Sequence, residues 1–192
     1  MNADALAAVN PALVQSDVAA VLDAVRAVVE EVPATILAHP TGCAEWNVRT
    51  LLNHMVFENL AHVALATGGP MPEPDADYLG DDHVTAFQVS AEQARTALTD
   101  PALLQRTFGT QEAPGSFVVQ MLVNEQLTHG WDLARATGQS TDLVPATAER
   151  ALPAARAFYG DVPRSDTTYH AEQPVPPDAT AADRLAAYLG RG

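Results

Sequence analysis

The chain has 192 residues, 47 % of them apolar and only 6 % aromatic, with a formal net charge of −14. That is enough apolar material for one domain whose core is filled mainly by Ala, Leu and Val. The acidity argues against nucleic acid or an anionic membrane as partner, because both select clustered positive charge; solubility is its plainest reading. A single cysteine, Cys43, excludes an intrachain disulfide. No stretch supplies the ~20 consecutive apolar residues of a membrane span. The first fifteen residues lack the basic and apolar regions of a signal peptide, so a cytoplasmic protein is the expectation.

In chain order, the first helix is expected over residues 12–31, where Leu13, Val18, Val21, Leu22, Val25, Val28 and Val29 recur at three- and four-residue steps. Pro33 stands just past its end. Residues 34–46 form a connector. A second helix is expected to start at Asn47, a good N-cap residue, and to stop at Gly68-Gly69-Pro70. Residues 70–82 carry three prolines and a run of acidic side chains and read as a loop. The third helix is expected over 83–98, and 99–114 as irregular chain. The fourth helix is expected from Ser116 to Ala136, with Gly138 at its end. A fifth spans 145–158, with Pro145 in its first turn and Pro153 a candidate kink. The alternation at 166–175 suggests a short strand, and residues 179–191 suggest a terminal helix. These elements predict an all-α protein, a four-helix bundle with additional short C-terminal helices. Residues 1–192 read as one domain, with 160–192 a Pro-rich segment and short helix packed on it.

Chemistry concentrates on two of these helices. Glu125 and His129 are four apart and Asp132 three further on, so all three share one helix face. Val119, Leu122, Val123 and Leu133 around them imply burial, and a buried carboxylate needs a cation, a proton or hydrogen bonds. On the second helix His54 lies among Leu51, Leu52, Met55 and Val56. Two His and one Glu are the usual protein set of a catalytic zinc site, which leaves one position open. The bland alternative is strong: a Glu-x3-His pair arises often by chance as an exposed contact. Asp132 has two candidate partners, His129 in support of a metal site or Arg135 on the same helix. His62 lies about 80° round the helix from His54 and reads as surface or supporting; His39, His83 and His170 fall in loops or at helix ends. Cys43 reads as a structural thiol, with Arg49 the one basic neighbour in sequence. Trp46 and Trp131 flank the two segments, as core or as pocket lining.

The segments T-G-C-A-E-W-N-V-R-T-L-L-N-H-M (41–55) and E-Q-L-T-H-G-W-D-L-A-R-A-T-G (125–138) resemble the DinB/YfiT-like metalloenzyme family. The likeness is to its actinobacterial branch, which is related to the N-terminal domain of mycothiol-dependent maleylpyruvate isomerase. The ending D-R-L-A-A-Y-L-G-R (183–191) resembles that branch too, and the exclusive use of Arg over Lys agrees with it. The resemblance implies a four-helix bundle binding a divalent metal, zinc or nickel, through His54, Glu125 and His129. It also implies a low-molecular-weight thiol, mycothiol here, activated at the metal to attack a small-molecule electrophile: a thiol S-transferase or isomerase-like enzyme. Asp132 would orient His129, and Trp131, Glu58 and Met55 would line the approach. The branch usually has Pro where Gly42 stands and Asp where Thr50 stands. No large C-terminal domain of the isomerase kind follows, so isomerase activity itself is not expected. A homodimer is compatible with the pattern. The competing expectation is a non-catalytic bundle that binds a small hydrophobic ligand or a protein partner, its metal structural or absent.

Overall fold

The apolar stripe of residues 18–29 becomes one wall of a helical bundle. The computed structural model describes residues 15–43, 46–109, 112–160, 162–164 and 170–192. Helix α1 (Gln15–Glu30) buries Val18, Val21, Leu22, Val25, Val28 and Val29 along a single face. The expected start at residue 12 lies outside the described residues. Helix α2 (Val48–Thr67) is capped by Asn47, whose Oδ1 accepts a 2.8 Å bond from the Thr50 amide, and closes at Gly68 in the left-handed conformation (φ 74°). Helix α3 (His83–Leu98) begins at Asp82, which accepts from the Thr85 amide at 3.0 Å. Helix α4 (Gly115–Thr137) ends at Gly138, also left-handed.

These four helices pack in the ring order α1–α3–α2–α4, each pair burying the apolar stripe that its spacing dictates. Leu51, Leu52, Met55 and Val56 of α2 meet Phe87 and Leu98 of α3 in one continuous core. Helix α4 is buried on nearly every side. One reason is that helix α5 (Pro145–Tyr159) and helix α6 (Ala181–Tyr188) pack on each other and on α4. Pro153 lies within α5 without ending it. Close approach at α4 requires glycine twice. A Cβ on Gly115 would lie 1.9 Å from the Leu103 carbonyl oxygen, and one on Gly130 would lie 2.7 Å from Cγ2 of Val25.

The strand anticipated at 166–175 is not found in its described part: residues 170–175 carry no strand, and 165–169 lie outside the described residues. Extended pairing occurs instead in the segment expected to be irregular. Strands β1 (Thr107–Phe108) and β2 (Ala113–Pro114) pair antiparallel just before α4. No helix among the described residues is long and apolar enough to cross a membrane.

Candidate metal centre

Helices α2 and α4 are ring neighbours, and their polar residues meet where they face each other. His54, Glu58 and His62 recur every four residues on α2, and Glu125 and His129 do so on α4, so each set forms a near-axial row. One ligand atom from each of His54, Glu125 and His129 can be chosen so that all three lie within 4.8 Å of one another. The two imidazoles sit edge to face, ring centres 4.8 Å apart, and Trp46 covers them with its ring centre 4.8 Å from that of His54 and 5.8 Å from that of His129.

The orientation of His129 is fixed by what each nitrogen meets. Nδ1 lies 3.1 Å from Oδ2 of Asp132, and Nε2 lies 3.4 Å from Oε2 of Glu125. With Nδ1 tied to a carboxylate, Nε2 is the atom turned toward Glu125 (the arrangement in which a ligand histidine is held by an outer carboxylate). Of the two partners open to Asp132, the structure therefore selects His129. Arg135 instead lies over the Trp131 ring at 5.2 Å.

Electrostatics follow from burial and pairing. Burial, with the His129 charge beside it, lowers His54 from 6.5 to about 4. Burial and the Glu125 carboxylate push Glu58 up to about 7. Burial alone would lower His129, but Asp132, Cys43 and Glu125 override it and hold the imidazole well above its ordinary value. Burial alone would raise Glu125, and the hydrogen bond and charge of His129 bring it below the ordinary carboxylate range. His129 and Glu125 thus each hold the other toward its charged form against the cost of burial.

Three expectations need correction. Met55 does not line an approach: it is fully buried in the core and lends the site helix its carbonyl, which accepts from Gln126. One residue past His54, it is turned about 100° away. His62 is not a surface residue. It is 1 % exposed, its Nδ1 donates to the Glu58 carbonyl at 2.8 Å, and burial lowers its pKa; the drift of 80° carries it into the bundle rather than out. Cys43 is no isolated structural thiol. Its Sγ donates to Oδ2 of Asp132 at 3.2 Å, because the turn held by the Thr41–Trp46 backbone bond folds residue 43 back over α4.

A cavity of about 570 Å³ opens above this cluster, its walls including Cys43, Trp46, Glu125, His129 and Asp132. Trp131 lines it as well, while its Nε1 donates to Asp183 of α6 at 2.8 Å. Glu58 stands behind His54, its Oε1 3.9 Å from Nε2, and is not among the lining residues. The sequence reading missed Arg191, His170 and Arg135 on the cavity wall. Arg191 reaches Oδ2 of Asp132 with Nε at 3.4 Å. No spacing rule connects positions 59 apart, so only the fold could reveal it. Of the remaining histidines, His83 is buried with Nε2 against the Val32 carbonyl at 2.9 Å, and His39 is exposed.

A family model described as the mycothiol maleylpyruvate isomerase N-terminal domain matches residues 18–134. The chain belongs to that family. The matched stretch includes Cys43, His54, Glu125, His129 and Asp132, whereas Arg135, His170 and Arg191 lie beyond it. Two proteins of Mycobacterium tuberculosis, the uncharacterized proteins MT0763 of strain CDC 1551 and Rv0738 of strain H37Rv, are each 38 % identical over 172 residues. The alignment covers 88 % of this chain and 92 % of each relative. No solved structure matches the chain.

Proposed function

We propose that this member of the family is a metal-dependent enzyme of the thiol S-transferase type. In this reading His54, Glu125 and His129 hold one divalent ion, zinc or nickel, and mycothiol is the thiol. The observation that carries the reading is the fixed direction of His129. Asp132 occupies Nδ1, so Nε2 faces Glu125 with His54 alongside, beneath a cavity large enough for a small molecule. The donors fit such an ion: two imidazoles and one carboxylate, drawn from two rigid helices, are a catalytic rather than a closed structural set.

A divalent ion there supplies Lewis acidity that lowers the pKa of a bound thiol toward neutrality. The chain's own residues do the rest. Asp132 keeps the His129 ring in one orientation. Glu58, whose Oε1 is 3.9 Å from Nε2 of His54 and which does not line the cavity, would support the His54 ring. Trp46 and Trp131 keep water from one side of the cavity.

Calorimetric titration with zinc or nickel should show one site, abolished in His129→Ala. Unchanged metal affinity in that variant would remove the site assignment. Protein loaded with metal should then join mycothiol to a halogenated aromatic faster than chelator-treated protein does. Equal rates would remove the transferase reading while leaving the metal site standing.

A further inference from the structure

Cys43, His129 and Asp132 form a second convergent group, of which the proposed metal centre uses His129 as a donor and Asp132 only to orient it. One ligand atom from each lies within 4.8 Å of the other two. Oδ2 of Asp132 is the focus, 3.2 Å from Sγ of Cys43 and 3.1 Å from Nδ1 of His129. Donors around a tetrahedral zinc-like ion, with metal–sulfur near 2.3 Å and metal–nitrogen or –oxygen near 2.0–2.2 Å, stand roughly 3.3–3.6 Å apart. The Sγ–Oδ2 and Nδ1–Oδ2 separations are therefore within a few tenths of an ångström of that range, and the Cys43 and His129 ligand atoms are within 4.8 Å of each other. A separate observation points to a missing partner. The Asp132 side chain is wholly buried against the cavity, and its Oδ1 has no hydrogen-bond partner among the described residues. A buried carboxylate oxygen without a partner is expensive unless a cation or water completes it.

We propose that Cys43, His129 and Asp132 are a second ligand set, selective for a thiophilic cation, which competes with the His54–Glu125–His129 set for the His129 ring. Thiolate selects soft cations over magnesium or calcium. Binding forms metal–sulfur, metal–nitrogen and metal–oxygen bonds, and releases the thiol proton and the Nδ1 proton to solvent. A neutral imidazole has one lone pair to give. With Nδ1 engaged here, Nε2 carries the proton and faces Glu125 as a donor, so one His129 cannot serve both sets while it stays neutral. Arg191, whose Nε is 3.4 Å from Oδ2 of Asp132, is the cation already in place and must yield. The tail after α6 is thereby a competitor for the same oxygen.

Cadmium(II) is the probe, followed by its ultraviolet sulfur-to-metal charge-transfer band in the full-length protein. The band should rise to one equivalent in the wild type and persist in His54→Ala and Glu125→Gln. It should vanish in Cys43→Ser, weaken by roughly tenfold or more in Asp132→Asn, and strengthen in Arg191→Gln. Should Cys43→Ser fail to fold by far-ultraviolet circular dichroism, alkylating Cys43 in folded wild type must abolish the band, and bound cadmium must slow that alkylation. Three results would overturn the proposal. The first is no band at saturating cadmium. The second is a band indifferent to both His129→Ala and Asp132→Asn, which marks a solitary thiol. The third is loss of the band in His54→Ala, which makes Cys43 a fourth ligand of the first set. Because His54→Ala and Cys43→Ser each dismantle one set, failure of this proposal is separable from failure of the metal centre.

Discussion

Glu58 is the residue whose removal should strengthen the fold, and by an amount that depends on pH. Metal-free protein holds its carboxyl near 7, through burial and the Glu125 charge, against an ordinary 4.5. Below 4.5 both folded and unfolded chains are protonated there, and the fold carries no penalty. As pH rises from 4.5 to 7 the unfolded chain loses its proton first, so stability falls until the folded carboxyl ionises too. At ~1.4 kcal/mol per pH unit of separation this amounts to ~3 kcal/mol. The side chain is 19 % exposed, and solvent screening brings the expectation to ~2–3 kcal/mol. Glu58→Gln keeps the shape and removes the charge. In chelator the variant should therefore exceed wild type by ~2–3 kcal/mol at pH 8, a Tm gap of ~4–12 °C for a chain of this size, and match it closely at pH 4.5. The opposing contribution of His54, held down to about 4 chiefly by burial, is present in both proteins and cancels in the difference. Urea unfolding at three pH values gives the answer directly. A gap that does not change between pH 4.5 and 8, or a variant less stable at pH 8, refutes the account of Glu58 as a buried carboxyl penalised when charged.

Asp132→Asn should reduce zinc affinity by ~10–100-fold in calorimetry without abolishing it, since it removes the group that orients His129 and not a donor of the first set. Gly130→Ala should destabilise by ~1–3 kcal/mol in urea unfolding, because the new Cβ meets Cγ2 of Val25 at 2.7 Å and Cδ1 of Leu143 at 3.2 Å; an unchanged midpoint would contradict the tight α1–α4 contact. Asp17→Ala should cost ~1–3 kcal/mol. It strips the buried acceptor shared by the Thr147 hydroxyl, at 2.7 Å, and by Arg150, which together tie α1 to α5. Equal stability of the two proteins would show that this link contributes nothing.

The bundle helices could be read from the chain because their signals are local. Three- and four-residue apolar steps, Asn47 and Gly68 around α2, and Gly138 after α4 each act within one or two turns. The i, i+4 relation likewise put Glu125 and His129 on one face without any tertiary knowledge. Which way that face points is not local. Met55 and His62 differ from expectation because a helix wheel gives angles about one axis but not the position of the neighbouring helix. Met55 turns into the core, and His62 is buried in the bundle with its Nδ1 on the Glu58 carbonyl. The places of Cys43 and Arg191 beside Asp132 are not local either. Their contacts with Asp132 span 89 and 59 positions and depend on a turn and a C-terminal tail with no periodicity to read. The β1–β2 pair, two residues a side, is shorter than any alternating pattern can register.

The bond from Trp131 to Asp183 couples the site helix to the start of α6. Oδ2 of Asp183 accepts from the Thr180 amide within the capping box of α6, while Oδ1 accepts from both Trp131 and Thr141. Starting α6 and bracing the site helix are therefore one event. The cavity wall formed by residues 189–192 continues directly from α6. Loss of the Asp183 carboxylate would therefore unfasten α4 and α6 together, and with them the wall that residues 189–192 lend to the cavity beside His129.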